Sequence, residues 1–312
     1  MAAKSIYERE ADSFRASLSQ ESRESRTSAI RMAASGDREA LVALRESRKG
    51  KIKKMPGVLS EMLGSTMRFY RPKVGSDFPV LLYLHGGGWT IGGIESCSAF
   101  CAALAAKGVA VVALDYRLAP ENPFPSALGD VAATFRFLRR HAKKFGCDPR
   151  KISIGGDSSG GNLAVAASIL LQMDDLTPAS LVLYYPVVVA KPDGSRSWAD
   201  FATGYGLDAD FMEACNAAYL EKHDFADPLV SPVLASETQI RRLPPVHLLA
   251  ADRDILRDQG IKFASRLAHS GVNVRYELLP GSVHLFVTVE GQRHAFARAV
   301  DFAREAVLPE KA

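Results

Sequence analysis

The chain is poor in cysteine and has no long apolar run. Four cysteines, Cys97, Cys101, Cys147 and Cys215, in 312 residues are too few for a disulfide framework. Cys97 and Cys101 stand four apart, on one face of any helix that holds them. No histidine or second cysteine pair lies near enough to complete a metal site, so they read as small core residues and no metal is expected. The longest apolar stretches, such as 181–190, fall far short of the ~20 residues that span a bilayer. Stable membrane insertion is therefore not expected. The opening Met-Ala-Ala-Lys-Ser-Ile-Tyr-Glu-Arg-Glu has no apolar segment of the kind a secretory signal carries. The expectation is a cytoplasmic protein.

Charge of one sign is also scarce. The net charge is +4, but its distribution is uneven. Residues 1–55 hold thirteen Lys and Arg against eight Asp and Glu, and the remainder is close to neutral. The basic run from Arg48 to Lys54 has no interleaved aromatics to stack on bases, so it reads as a solvated helix end and linker. Nucleic acid is not expected as a partner. Neither G-x-G-x-x-G nor a GKS/GKT ending occurs, which sets nucleotide binding aside.

What is present is periodicity. The first fifty-odd residues are polar and helix-prone, and 37–48 carry Ala40, Leu41 and Leu44 on one side. So narrow a stripe leans on another surface instead of making its own core. Pro56 and Gly57 mark a change of texture. Strands are expected at Thr66–Tyr70, Val80–Leu84, Val109–Leu114, Ile152–Ile154, Leu181–Tyr184, Val246–Leu249 and Val274–Leu278. Helices are expected at Ser98–Lys107, Ala127–Lys143, Ser159–Leu171, Gln259–Ala268 and Arg293–Val307. Continuous Val, Leu and Ile runs alternating with helices predict an α/β fold with a mostly parallel central sheet flanked by helices. Between Pro186 and Pro228 no strand is expected, and the segment reads as an aromatic-rich insertion.

Gly156-Asp157-Ser158-Ser159-Gly160 fits G-x-S-x-G. An apolar strand precedes it and a small-residue helix follows, the setting that a nucleophile elbow requires. His85-Gly86-Gly87-Gly88-Trp89 follows the strand Val80–Leu84. Acyl transfer needs preorganised N–H donors for an oxyanion, and the expected donors are the amides of Gly86, Gly87 and Ser159. His85 reads as an anchor for that loop. Among seven histidines, His141, His223, His269 and His294 lie in charged surroundings and His247 alternates within a strand. His284 instead follows a late strand at its carboxyl end, where open α/β sheets place their sites. It is the expected base. The preceding strand leads to Asp252, Asp254 and Asp258, and spacing alone leaves all three open as the acid.

Taken together, these segments resemble the hormone-sensitive-lipase-like esterases and lipases. The resemblance rests on His85-Gly-Gly-Gly-Trp, Asp115-Tyr-Arg-Leu-Ala-Pro-Glu-Asn-Pro-Phe-Pro, Gly156-Asp-Ser-Ser-Gly-Gly-Asn-Leu-Ala, Tyr185-Pro186, Asp254-Ile-Leu-Arg-Asp-Gln-Gly and Gly281-Ser-Val-His-Leu-Phe. They occur in family order from about residue 65 to the C-terminus. The resemblance implies an α/β-hydrolase fold and selects Asp254 as the acid, with Asp258 a capping or loop-holding residue. It implies a helical cap, here residues 1–55 with an insertion at about 190–227, on a catalytic domain spanning 56–312. Two departures are visible: Ser159 stands where many relatives have Ala, and Asp254-Ile-Leu replaces Asp-Pro-Leu.

The expected function is a serine carboxylester hydrolase for short- to medium-chain acyl esters. It would act through an acyl-enzyme with the triad Ser158, Asp254 and His284, and without a cofactor. Trp89, Phe201, Tyr205 and Phe211 are the candidate substrate-pocket residues. The partner expected is a small-molecule ester, and a homodimer is compatible with the sequence. An amide or N-acetyl hydrolase of formamidase type on the same triad is the enzymatic alternative, and a silent small-molecule receptor is the non-catalytic one.

Overall fold

The apolar runs assemble into one eight-stranded sheet in the computed structural model, which describes residues 4–289 and 291–308. Three helices come first: α1 (Ile6–Ala16), α2 (Gln20–Ala34) and α3 (Glu39–Ser47). Ser5 and Ser19 start the first two, each side chain accepting an N–H three residues ahead. Then follow β1 (Val58–Leu63), β2 (Met67–Pro72), β3 (Phe78–Leu84), α4 (Ser98–Ala106), β4 (Ala110–Leu114), α5 (Ser126–His141), β5 (Cys147–Asp157), α6 (Ser159–Leu171) and β6 (Leu181–Tyr184). An insertion brings α7 (Arg196–Asp200), α8 (Ala209–Leu220) and α9 (Glu237–Arg241). The chain returns through β7 (Val246–Arg253), α10 (Arg257–His269), β8 (Val274–Val283) and α11 (Arg293–Val307).

The strand order is β1-β2-β4-β3-β5-β6-β7-β8. β2 pairs antiparallel with both β1 and β4, and every other pairing is parallel. β3 and β4 are buried throughout, as central parallel strands with helices on both faces must be. One face carries α5, α6 and α10 and the other α4 and α11, so the core is two apolar layers around the sheet.

Each expected strand overlaps an observed one, with Thr66 and Val109 falling just before β2 and β4. The structure extends β5 back to Cys147 and β8 forward through Val283. β1 was not expected from the sequence. It is an edge strand bonded on one side only, and Ser60 and Glu61 interrupt its apolar run. The N-terminal helices do not stand apart. α2 packs on α8, and α1 on β8 and α11. Charged contacts fix them: Arg23 to Asp208 at 2.9 Å, Arg253 to Asp12 at 2.8 Å, and Arg45 to both oxygens of Glu121 at 2.9 Å. Among the described residues no helix is long and apolar enough to cross a membrane.

Candidate active site

β5 ends in a turn so tight that side chains have no room. A Cβ at Gly156 or at Gly160 would strike the Leu84 carbonyl of β3. Between them Ser158 is held at φ 56°, ψ −118°, a region that costs a non-glycine residue about 1–3 kcal/mol. Hydrogen bonds hold it there: the Ser158 N–H donates to the Tyr184 carbonyl at 2.9 Å, and the Val187 N–H donates to the Ser158 carbonyl at 3.1 Å. Helix α6 starts at once, so the Ser159 N–H belongs to a first turn whose donors lack intrahelical partners.

His284 stands just beyond β8, buried, with Nδ1 2.6 Å from Asp254 Oδ2. The other carboxylate oxygen of Asp254 accepts the Leu256 N–H at 3.0 Å, which fixes the plane of the group. The His284 carbonyl accepts from Gln292 Nε2 at 3.2 Å, and the Tyr185 ring lies 4.3 Å from the imidazole. The neighbouring carboxylates go elsewhere. Asp252 accepts the Gly281 N–H at 2.8 Å, joining the loops after β7 and β8. Asp258 accepts the Ser197 N–H and the Arg257 guanidinium, both at 2.9 Å, and ties α10 to α7.

The glycine-rich loop corrects one expectation. The Gly86 N–H, expected to face an oxyanion, donates instead to Asp157 Oδ1 at 3.0 Å. That same oxygen accepts the Tyr83 hydroxyl at 2.8 Å. Burial raises the Asp157 carboxyl to about 6, against the pull of its hydrogen bonds from Tyr83 and the Gly86 amide. The Gly87 and Gly88 amides make no hydrogen bond among the described residues and line the cavity with Ser158 and His284. Both glycines have positive φ, and a Cβ would strike the Ile91 carbonyl at Gly87 and the Cys215 sulfur at Gly88. His85 anchors the loop from behind. Its Nδ1 bonds the Gly86 carbonyl at 2.8 Å, its own carbonyl accepts the Tyr116 hydroxyl at 2.7 Å, and burial lowers its pKa to about 4. The ring is fully buried and outside the cavity lining, so it faces no substrate.

Above these groups is a cavity of about 710 Å³. Its floor is Gly86, Gly87, Gly88, Ser158 and His284, and Leu207, Phe211 and Met212 of the insertion form one wall. Of the four expected pocket residues only Phe211 lines it. Trp89 is fully buried and stacked on Tyr219 at 4.3 Å. Phe201 and Tyr205 pack on each other beneath Arg257 and Arg15. Aromatic content alone does not separate cap core from pocket wall. Sequence reasoning also missed Arg26 and Arg48 on the cavity wall, because no motif marks them. Cys97 and Cys101 are both buried, and among the described residues no group of three or more His, Cys, Asp and Glu forms a metal cage.

A family model described as the alpha/beta hydrolase fold matches residues 81–288. The carboxylesterase NlhH of Mycobacterium tuberculosis is 34% identical over 242 residues, covering 76% of this chain and 73% of that one. The ethyl acetate hydrolase of Pseudomonas putida is 36% identical, with 71% of each covered. Among solved structures, a thermostable esterase from Pseudomonas putida superposes with a TM-score of 0.85 over 100% of both chains at 23% identity, a likeness of fold. An ester-hydrolase from the metagenome of Lake Arreo is 34% identical, with a TM-score of 0.74 and 88% of each chain covered. On that match and those identities, the chain belongs to the carboxylesterases of the hormone-sensitive-lipase-like class of the α/β-hydrolase family.

Proposed function

We propose that the protein hydrolyses carboxylic esters through an acyl-enzyme on Ser158. One observation carries this: a serine held in a strained elbow shares a cavity with a buried histidine whose far nitrogen is bound to a carboxylate. Ser158 Oγ attacks the ester carbonyl carbon, and its proton passes to His284 Nε2. The Asp254 carboxylate holds the imidazole tautomer and offsets the positive charge it gains. The negative charge on the former carbonyl oxygen is met by the amides of Gly87, Gly88 and Ser159. His284 then protonates the departing alkoxide, and a water hydrolyses the acyl-enzyme by the reverse proton path. The Ser158–His284 hydrogen bond is not formed among the described residues; such contacts tighten when substrate aligns them.

Residues 1–55 and the insertion at 190–227 together act as the cap, since α2 and α8 both supply cavity wall. A walled cavity favours short acyl groups, on the order of two to eight carbons. Each buried CH₂ contributes about 0.8 kcal/mol until the wall is met, and further carbons must stay in water or displace the cap. A p-nitrophenyl ester series should therefore peak in kcat/KM at short chains, with the matching anilides far slower. Maximal rates at ~16 carbons would contradict the chain-length reading, and faster anilides would move the function to amide hydrolysis.

A further inference from the structure

The cavity over Ser158 carries a charge imbalance that ester hydrolysis does not by itself use. Arg26, Arg48, Lys51 and Lys53 line it, against Glu95 and the internally bonded Asp157. The two arginines differ from those around them. Arg15, Arg23, Arg45, Arg253 and Arg257 each meet a carboxylate. Among the described residues no carboxylate lies within ion-pair reach of Arg26 or Arg48. Arg26 stacks 5.7 Å over the Phe211 ring, and its Nε donates to the Ser22 carbonyl at 3.3 Å. Among the described residues the Arg48 side chain makes no hydrogen bond.

Asp208 and Asp210 act on Arg26 at longer range, but Asp208 already holds Arg23 and the Gly204 amide. Desolvation pulls both guanidiniums below their ordinary value, and for Arg26 the nearby Arg48 adds to it. Arg26 is half-buried and Arg48 is exposed at the cavity rim; two like charges facing one space repel each other unless an anion joins them. The guanidinium fork suits a carboxylate, which can take two parallel N–H bonds.

We infer that the preferred substrate is an ester that itself carries a carboxylate, bound by Arg26 and Arg48 while the ester carbonyl lies at Ser158. The inference rests on the ester-hydrolase reading above. The carboxylate can sit on the acyl side or on the alcohol side, and two substrate pairs distinguish them. Mono-p-nitrophenyl glutarate against p-nitrophenyl valerate probes the acyl side. p-Acetoxybenzoate against its methyl ester probes the alcohol side. The readout is the charged-to-neutral ratio of kcat/KM, and the neutral ester in each variant controls for folding.

In one of the two pairs the R26Q/R48Q double variant should lower this ratio on the order of tenfold or more, mainly through KM. Added salt should lower it in the unsubstituted protein. A K51Q/K53Q variant should move it much less. Ratios within about twofold of the unsubstituted protein in both pairs would overturn the site. Equal losses in the two variants would assign the effect to long-range steering and overturn it as well. No turnover of any of the four esters would overturn both this inference and the reading beneath it.

Discussion

Asp157 and His85 hold the same glycine-rich loop, and their ionisation acts on stability in opposite directions. Asp157 is raised from 3.8 to about 6. The folded state therefore binds its proton more tightly, and that advantage is lost as pH rises from about 4 to 6. His85 is lowered from 6.5 to about 4. Its neutral ring favours the folded state above pH 6.5, and that advantage is lost as pH falls toward 4. Each shift is on the order of 3 kcal/mol at full extent, so in the native chain the two slopes largely offset. Asp157→Asn keeps an acceptor for Gly86 and Tyr83 but removes one slope. Urea unfolding at several pH values should then show the variant losing about 1–3 kcal/mol more than the native chain on acidification from pH 6.5 to 4. Parallel curves would contradict the assignment of the two groups.

The three carboxylates after β7 make a second prediction at this scale. Asp254→Asn should lower kcat by on the order of 10⁴-fold with the fold intact. Asp252→Asn should change kcat little, since its oxygen only joins two loops. Asp258→Asn should act through thermal stability, because it anchors α7. A severe kinetic loss in Asp252→Asn would contradict the geometry. Strand–turn–helix context singled out Ser158 in the sequence and the end of a late strand singled out His284, and the two line one cavity; the acid was selected by the family resemblance. That the Gly86 amide turns to Asp157 while Gly87 and Gly88 keep theirs free at the cavity was not legible: which amide faces the cavity depends on the φ angles of three identical residues.

Among the elements, α3 was legible as a helix from Ala40, Leu41 and Leu44, but not what it docks against. Besides its packing on α2, one side chain ties it to the catalytic domain. Arg45 donates to the Thr90 carbonyl and the Ala119 carbonyl at 2.8 Å and grips Glu121 with both terminal nitrogens. Such charge-assisted bonds contribute about 1.5–3 kcal/mol, and Leu41 beside them is fully buried. Arg45→Ala should therefore lower the melting temperature. It should also raise KM more than it lowers kcat, since α3 leads directly into Arg48 at the cavity. A variant with unchanged melting temperature and KM would show that α3 is held by its apolar face alone. β1 stayed hidden because a short edge strand interrupted by Ser60 and Glu61 at its centre has no apolar alternation to detect.

Over the whole molecule, strand order explains why residues as distant as 87, 158, 254 and 284 converge. Their strands run parallel, so the carboxyl ends of β3, β5, β7 and β8 open on one edge of the sheet, where α/β folds place their chemistry. That part was legible because buried parallel strands leave continuous apolar runs. The resemblance implied a cap of residues 1–55 and the insertion, but how those helices are held was not legible, because dispersed pairs such as Arg23–Asp208 and Arg253–Asp12 have no signature in a single sequence. Deleting residues 1–55 removes Arg26, Arg48, Lys51 and Lys53 from the cavity and should broaden the chain-length profile or abolish turnover. A truncated chain with the native profile would remove the segment from the cap.

The central claim is that Ser158 is the nucleophile, and covalent labelling tests it most directly. The protein is treated with a fluorophosphonate and digested, and the modified residue is located by mass spectrometry in the native chain and in Ser158→Ala. The account predicts one adduct, on Ser158, and no adduct or ester turnover in the variant. An adduct on Ser159 or at any other position, or turnover that survives Ser158→Ala, would contradict it.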